Sequence, residues 1–146
     1  MLWRFDTDKF YNFDEFMERY ITPFQGVEYI YDEKRGYVVW RASSGWNIEF
    51  LHLRAFKTGK GIGPQLIREM LLKLRTHKRF DTIFAFLRDT NEPMKKVCRK
   101  MGFTLYEGLE NIYAGEKACL ICGRYEEIME KNFELLDWPN KELQGL

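Results

Sequence analysis

The chain has 146 residues, of which 45% are hydrophobic, and its 23 Lys and Arg residues against 22 Asp and Glu residues give a formal net charge of +1. This length and apolar content predict a single domain over residues 1–146 with a sizeable core. The near-neutral balance excludes an overall field that would draw the protein to nucleic acid or to a membrane surface. Acidic residues among the first twenty argue against a secretory signal or a membrane span, and three cysteines make no even disulfide framework, so we expect a cytoplasmic protein.

The first elements predicted along the chain are a short helix and a hairpin. In NFDEFMERYI, Asn12 is a candidate N-cap with Glu15 three residues later. VEYIYDEKRGYVVWRAS alternates on both sides of a turn at Gly36, which predicts two antiparallel strands. A third strand, WNIEFLHLRAF, runs directly into a glycine-rich loop.

Strict alternation along this third strand predicts which side chains share a face. One face carries Ile48, Phe50 and His52, and the other carries Asn47, Glu49, Leu51 and Leu53. We therefore interpret His52 as a strand histidine that lies on the face opposite Glu49 and is hydrogen-bonded elsewhere.

The glycine-rich loop is followed by an amphipathic helix. In FKTGKGIGPQLIREMLLKL, glycines at 59, 61 and 63 precede Pro64, which we place at the first helical position, where proline is best tolerated. Apolar residues at helical spacing then continue to about Thr76.

The second half of the chain predicts alternating strands and helices. TIFAFLR is a buried strand, and the helix in EPMKKVCRKMGF ends at Gly102 in a C′ role, with Val97 and Met101 inward. The outward residues of this helix are Lys95, Lys96, Arg99 and Lys100. Strands FTLY and KACLIC follow, and an extra helix ends near Pro139 before a loose tail.

Alternating glycines ahead of a helix are typical of a cradle for an anionic phosphate, because backbone N–H groups and the positive helix end face one ligand. A Walker loop needs Ser or Thr after its lysine, but Lys60 is followed by Gly61. A dinucleotide fingerprint needs a third glycine where Pro64 stands. Neither motif therefore fits the spacing.

The glycine loop and the later segment NEPMKKVCRKMGF occur in the order found in the GCN5-related N-acetyltransferase (GNAT) family, and residues 27–123 resemble that family. The loop Thr58-Gly59-Lys60-Gly61-Ile62-Gly63 is similar to the family's Gln/Arg-x-x-Gly-x-Gly/Ala, with Thr58 in place of the long polar residue. NEPMKKVCRKMGF is similar to the family's Asn-x-x-Ala-x-x-Leu-Tyr-x-x-x-Gly-Phe, with Cys98 where many members have tyrosine. The resemblance implies an α/β (α+β) fold with a central mixed, mostly antiparallel sheet, splayed after the strand that precedes the loop, and residues 124–146 form a C-terminal extension.

The same resemblance implies acetyl-coenzyme A as co-substrate, with no metal. The pyrophosphate would lie on the loop, and pantetheine would lie in the gap that a bulge opens between the strands, held by backbone N–H groups near Leu51 and Leu53. The cofactor-binding residues so implied are Leu51, Leu53, Thr58, Gly59, Lys60, Gly61, Ile62, Gly63 and Asn91.

Direct acetyl transfer to an amine needs a general base and a proton for the departing thiolate. The resemblance implies Glu49 as the base, with Asn47 as a residue that orients water; the alternative is a surface carboxylate on an exposed strand face, paired with a lysine. Cys98 is either a weak general acid or a small buried apolar residue.

Two further patterns and the overall activity leave alternatives open. The odd spacing of Cys119 and Cys122 puts them on opposite strand faces, which disfavours zinc. The basic cluster Lys95–Lys100 is either a solvated helix face or a contact for the nucleotide phosphates. The resemblance thus implies an N-acetyltransferase that acts on an amine of a small molecule or protein, with the formation of a homodimer left open. The alternative is a weakly active or inactive GNAT-like module that binds coenzyme A or serves as an interaction or structural subunit, such as those encoded by bacteriophages.

Overall fold

The computed structural model describes residues 12–43, 47–57, 59–76 and 80–133. In chain order the elements are α1 (Phe13–Phe16, continued by a π-helical turn Met17–Ile21), β1 (Val27–Asp32), β2 (Gly36–Ala42), β3 (Asn47–Ala55), α2 (Ile62–Leu74), β4 (Thr82–Arg88), α3 (Glu92–Lys100), β5 (Thr104–Tyr113), β6 (Glu116–Arg124) and α4 (Tyr125–Asn132). The described strands form a sheet in the order β1-β2-β3-β4-β6-β5, in which β3 and β4 pair in parallel and the other neighbours pair antiparallel. The mixed, mostly antiparallel sheet predicted from the sequence is confirmed.

The β1–β2 hairpin closes through a side-chain turn and an obligatory glycine. Asp32 Oδ1 accepts hydrogen bonds from the backbone N–H groups of Lys34 at 2.8 Å and Arg35 at 3.2 Å. Gly36 has φ +142°, and a Cβ built there would lie 1.9 Å from the carbonyl oxygen of Arg54 on β3. Any side chain at this position would therefore push β2 away from β3.

A β-bulge interrupts β3 shortly before the glycine loop. The β2–β3 register pairs Val39 with His52 but Trp40 with Phe50, so Leu51 is an extra residue on β3. A bulge of this kind bends the strand and shifts its side chains by one position.

The bulge overturns part of the predicted alternation of β3. The His52 ring lies 4.4 Å from the ring of Tyr20 and 5.3 Å from that of Tyr37, on the face of the aromatic cluster to which Leu51 also belongs. Leu53 instead joins the main core on the other face. The prediction that His52 points away from the face of Glu49 is wrong, because the extra residue returns His52 to that face.

β3 and β4 separate just before the bulge, after Glu49. Their parallel pairing is limited to Asn47 with Thr82, Ile48 with Ile83 and Glu49 with Phe84, although β3 continues to Ala55 and β4 to Arg88. The predicted splay between the strand before the loop and the next strand is thus present in the register.

The main core lies between one face of the sheet and the helices α2, α3 and α4. The residues of α2 that it buries completely are Leu66, Ile67, Met70, Leu71 and Leu74. α2 begins at Ile62, not at Pro64 as predicted. Proline is still accommodated, because the N–H groups of the first helical turn have no intrahelical partner.

The ends of α3 and α4 meet on the same side of the sheet. Gly102, with φ +98°, donates its N–H to the carbonyl of Arg99, and Phe103 donates to that of Cys98, which confirms the predicted stop of α3. α4 ends at Asn132, earlier than predicted, and Pro139 and the rest of residues 134–146 lie outside the described residues. Among the helices that the structure describes, none is long and apolar enough to span a membrane.

Candidate active site

The glycine loop adopts a conformation that leaves its backbone open. Gly59 and Gly61 have φ +74° and +70°, and a Cβ on either would meet no atom within 4 Å. Gly61 is the N-cap of α2, so the first N–H groups of that helix point out of the helix end beside the loop. Left-handed glycines ahead of a helix N-terminus that no N-cap side chain caps make a concave surface suited to an anion.

A cleft of about 510 Å³, here called the loop cleft, lies where the end of β3, the glycine loop and the start of α3 meet. The predicted cofactor residues that line it are Leu53, Gly59, Lys60, Gly61, Ile62, Gly63 and Asn91. The side chain of Leu51 belongs to the aromatic cluster instead, so only its backbone is available to the cleft side. Thr58 lies outside the described residues.

Asn91 caps the N-terminus of α3 at the edge of the loop cleft. Its Oδ1 accepts a hydrogen bond from the backbone N–H of Met94 at 3.2 Å, which makes Asn91 the N-cap of α3. The predicted asparagine therefore orients the helix that forms one wall of the cleft.

Four ammonium groups surround the loop cleft. They belong to Lys57, Lys60, Lys96 and Lys100, and none of the described residues that line this cavity is acidic. None of the four is paired with a carboxylate among the described residues. The cleft is therefore electropositive, as a phosphate-bearing ligand requires.

The basic cluster predicted on α3 is divided between two environments. Lys95 is buried, with its side chain 2% exposed, and its Nζ lies 2.9 Å from Asp89 and 2.7 Å from Glu107. Arg99 also pairs with Glu107, at 3.3 Å. The prediction of an outward Lys95 is wrong, since acidic residues of β5 and of the turn after β4 cover it. Only Lys96 and Lys100 of the cluster face the loop cleft.

Exchange of Lys95 for methionine is expected to lower the free energy of unfolding by about 1–2 kcal/mol, because it leaves two neighbouring carboxylates without their shared cation. Hydrogen bonding from Lys95 holds the pKa of Asp89 below its ordinary value of 3.8. The contribution is therefore present above that pH and is lost as the pH falls through the lower folded pKa. Urea unfolding between pH 3 and 7 checks this; equal stabilities of Lys95→Met and the exposed control Lys96→Met would contradict it.

Glu49 is held by an arginine on the neighbouring strand. Arg41 Nε and Nη2 donate hydrogen bonds of 3.1 and 2.9 Å to the same oxygen, Glu49 Oε1, and the Glu49 side chain is 14% exposed. Oε2 has no hydrogen-bond partner among the described residues. The carboxylate is thus oriented through one oxygen, and the other can accept a proton or a water.

Asn47 lies two residues before Glu49 on the same strand face, and both belong to the three register pairs before β3 and β4 separate. The carbonyl of Asn47 accepts the N–H of Ser43 at 2.8 Å, which fixes the start of β3. Both polar residues therefore stand at the point where the sheet begins to open.

Cys98 lies within the main core, where its side chain is 0% exposed. Burial raises the pKa of the Cys98 thiol to about 12. A thiol with these properties favours the alternative of a small apolar packing residue. No group of three or more His, Cys, Asp or Glu residues that could hold a metal occurs in the part of the chain that the structure describes.

Solved structures with the same arrangement are acetyltransferases. A Desulfovibrio desulfuricans protein described as an acetyltransferase of the GNAT family matches with a TM-score of 0.62 and 13% identity over 76% of each chain. yncA of Salmonella typhimurium, solved with its cofactor acetyl-CoA, matches with a TM-score of 0.52 and 16% identity over 64% of this chain and 59% of its own. Arabidopsis thaliana NAA60, in complex with a bisubstrate analogue, matches with a TM-score of 0.51 and 16% identity over 62% and 64%.

These similarities identify the fold as that of the GNAT acetyltransferases, which confirms the resemblance inferred from the loop and α3. For the Salmonella and Arabidopsis proteins, the match covers less than two thirds of the neighbour's own length. No protein-family model matches the sequence, and a search of curated proteins finds no match either.

Proposed function

We propose that the protein is an acetyl-coenzyme A dependent N-acetyltransferase that transfers the acetyl group directly to an amine of a small molecule or protein in a ternary complex. The observation that carries this proposal is the loop cleft, where an open glycine cradle adjoins the gap between β3 and β4 and is surrounded by lysines that have no carboxylate partner among the described residues. A cavity of this form suits a long ligand with a phosphate-rich end and a thin, extended end.

The residues of the chain fit such a cofactor in three places. The N–H groups of Gly61, Ile62 and Gly63 would bind the pyrophosphate, and Lys57, Lys60, Lys96 and Lys100 would neutralise its charge. The edge of β3 near Leu51 and Leu53 would hold the pantetheine amides as a neighbouring strand would. When bound, acetyl-coenzyme A supplies an activated acyl group as a thioester.

Glu49 acts as general base in this proposal. Oε2 accepts the proton of the acceptor ammonium, directly or through a water that Asn47 helps to orient. Arg41 holds the carboxylate in place through Oε1. Because Cys98 is buried, the proton for the departing thiolate comes from water or from the acceptor ammonium.

The second candidate is a GNAT-like module that binds coenzyme A with little or no transfer activity. Two observations favour it: Cys98 offers no accessible acid, and Arg41 already occupies one oxygen of the only base proposed here. Both candidates predict cofactor binding, so activity with an acceptor amine separates them.

A calorimetric and thermal-shift titration tests the proposed cofactor. Acetyl-coenzyme A and desulfo-coenzyme A are expected to raise the melting temperature, because a ligand selective for the folded state stabilises it. NAD and ATP serve as controls that carry a pyrophosphate without pantetheine. Equal stabilisation by all four ligands, or by none, would contradict the assignment of the loop cleft to coenzyme A.

A further inference from the structure

A second cavity, here called the basic groove, adjoins the loop cleft and has a volume of about 570 Å³. Its lining residues are Lys60, Gly61, Pro64, Gln65, Arg68, Lys100, Met101, Lys131 and Asn132. They come from the glycine loop, α2, the end of α3 and the end of α4. Four of them are basic and none is acidic.

The basic groove is continuous with the loop cleft. Lys60, Gly61, Pro64 and Lys100 line both cavities, so the glycine loop forms a ridge that the two share. A ligand whose pyrophosphate rests on this loop can therefore extend one part into the loop cleft and another into the basic groove.

The positive charge of the basic groove is not balanced by carboxylates among the described residues. None of Lys60, Arg68, Lys100 and Lys131 has an ion-pair partner among the described residues. Three basic side chains elsewhere in the described chain do have carboxylate partners: Arg35 pairs with Glu69, Arg41 with Glu49, and Lys95 with Asp89 and Glu107. Like charges gathered without counter-charges destabilise a surface, unless an anionic ligand compensates for them.

Close packing of α4 on α3 fixes the outer wall of the groove. Asn132 Nδ2 donates to the carbonyls of Met101 at 2.8 Å and Ile128 at 2.7 Å. A Cβ at Gly102 would lie 3.0 Å from Lys131 Cγ, so the glycine admits the stem of this lysine. The position of Lys131 is therefore set by the fold.

Favourable interaction with helix dipoles would explain only two of the four basic residues in the basic groove. Lys100 is the last residue of α3 and Lys131 lies in the last turn of α4, where cations interact favourably with the helix dipole. Lys60 stands in the glycine loop and Arg68 in the middle of α2, so helix ends do not explain these two.

We propose that the basic groove receives the 3′-phosphate of coenzyme A and distinguishes coenzyme A from its 3′-dephospho form. The inference rests on the proposed function, since it requires the pyrophosphate to lie on the glycine loop. A terminal phosphate monoester carries more charge than a bridging phosphate and presents three acceptor oxygens. Lysine and arginine donors from several directions suit such a group.

Calorimetric titration at constant ionic strength tests the groove without any catalytic step. Wild-type protein is expected to bind coenzyme A about tenfold more tightly than 3′-dephospho-coenzyme A, and the difference shrinks as salt rises. In the double variant Arg68→Gln/Lys131→Gln, the affinity for coenzyme A falls to that for the dephospho form, whose own affinity is unchanged. Lys117→Gln removes one charge that lines neither cavity and is expected to keep the difference.

Three results would overturn the inference. Equal wild-type affinity for both coenzyme forms would refute the phosphate groove while leaving the proposed cofactor intact. Binding of neither form would refute the proposed function and the inference with it. Stabilisation by inorganic phosphate alone, equal to that by coenzyme A and abolished in the double variant, would make the groove a separate anion site. The melting temperature of each variant without ligand verifies that it is folded.

Discussion

Replacement of Gly61 with glutamate is expected to abolish the stabilisation by acetyl-coenzyme A while the protein remains folded. Gly61 is the N-cap of α2, and a Cβ there meets no protein atom within 4 Å, so the side chain has room in the free protein. It would, however, place a carboxylate where the phosphates approach the backbone. Like-charge repulsion and lost N–H contacts should weaken binding by about 100-fold or more, as measured by calorimetry.

Two matched variants separate charge from backbone strain. Gly61→Ala imposes the same strain at φ +70° without a charge and is expected to retain most of the affinity. Gly115→Glu adds the same side chain at an equally open glycine with φ +73°, in the turn between β5 and β6. An undiminished thermal shift in Gly61→Glu would rule out the glycine loop as the phosphate site.

Exchange of Glu49 for glutamine is expected to leave acetyl-coenzyme A binding unchanged and to slow transfer by about 10²–10⁴-fold, the usual contribution of a general base. Glutamine keeps the shape of the side chain but cannot take up the ammonium proton. Steady-state rates with an acceptor amine, combined with the thermal shift, provide the measurement. Wild-type turnover in Glu49→Gln would remove the assignment.

Arg41→Met provides the companion variant. Both hydrogen bonds of Arg41 go to Glu49 Oε1, so its loss removes the neighbouring cation without removing the carboxylate. Because Arg41 fixes the orientation of the Glu49 carboxylate, Arg41→Met should slow transfer to an acceptor amine while acetyl-coenzyme A binding stays unchanged, as steady-state rates and the thermal shift would measure. The loss in Arg41→Met should be smaller than in Glu49→Gln, and wild-type turnover in Arg41→Met would show that transfer does not depend on this pairing.

Features that depend on neighbouring residues were well predicted from the sequence. The hairpin turn before Gly36, the strand Thr82–Arg88 and the stop of α3 at Gly102 are all present. Each arises from a local requirement: a short turn, an apolar run between polar ends, or a residue that adopts positive φ. The glycine loop and its position before a helix belong to the same class, and they were enough to indicate a phosphate cradle and the GNAT fold.

Features that depend on distant parts of the chain were missed or left undecided. The family resemblance implied a bulge in β3, but strict alternation fits the sequence of the strand equally well, so the position of the bulge at Leu51 and the face of His52 were missed. Lys95 was expected in solvent because its acidic partners lie outside its helix, on β5 and after β4. Cys98 had two interpretations until the packing around α3 was known.

Whether a feature could be predicted from the sequence depends on how far apart along the chain the interacting residues lie. Backbone conformation and helix ends are governed by contacts within a few residues, so the sequence alone predicted the elements, their order and the position of the glycine loop before α2. Burial, register and the pairing of charges depend on which elements meet. Only the folded chain therefore placed Arg41 beside Glu49 and brought Arg68, Lys100 and Lys131 from three helices to one groove.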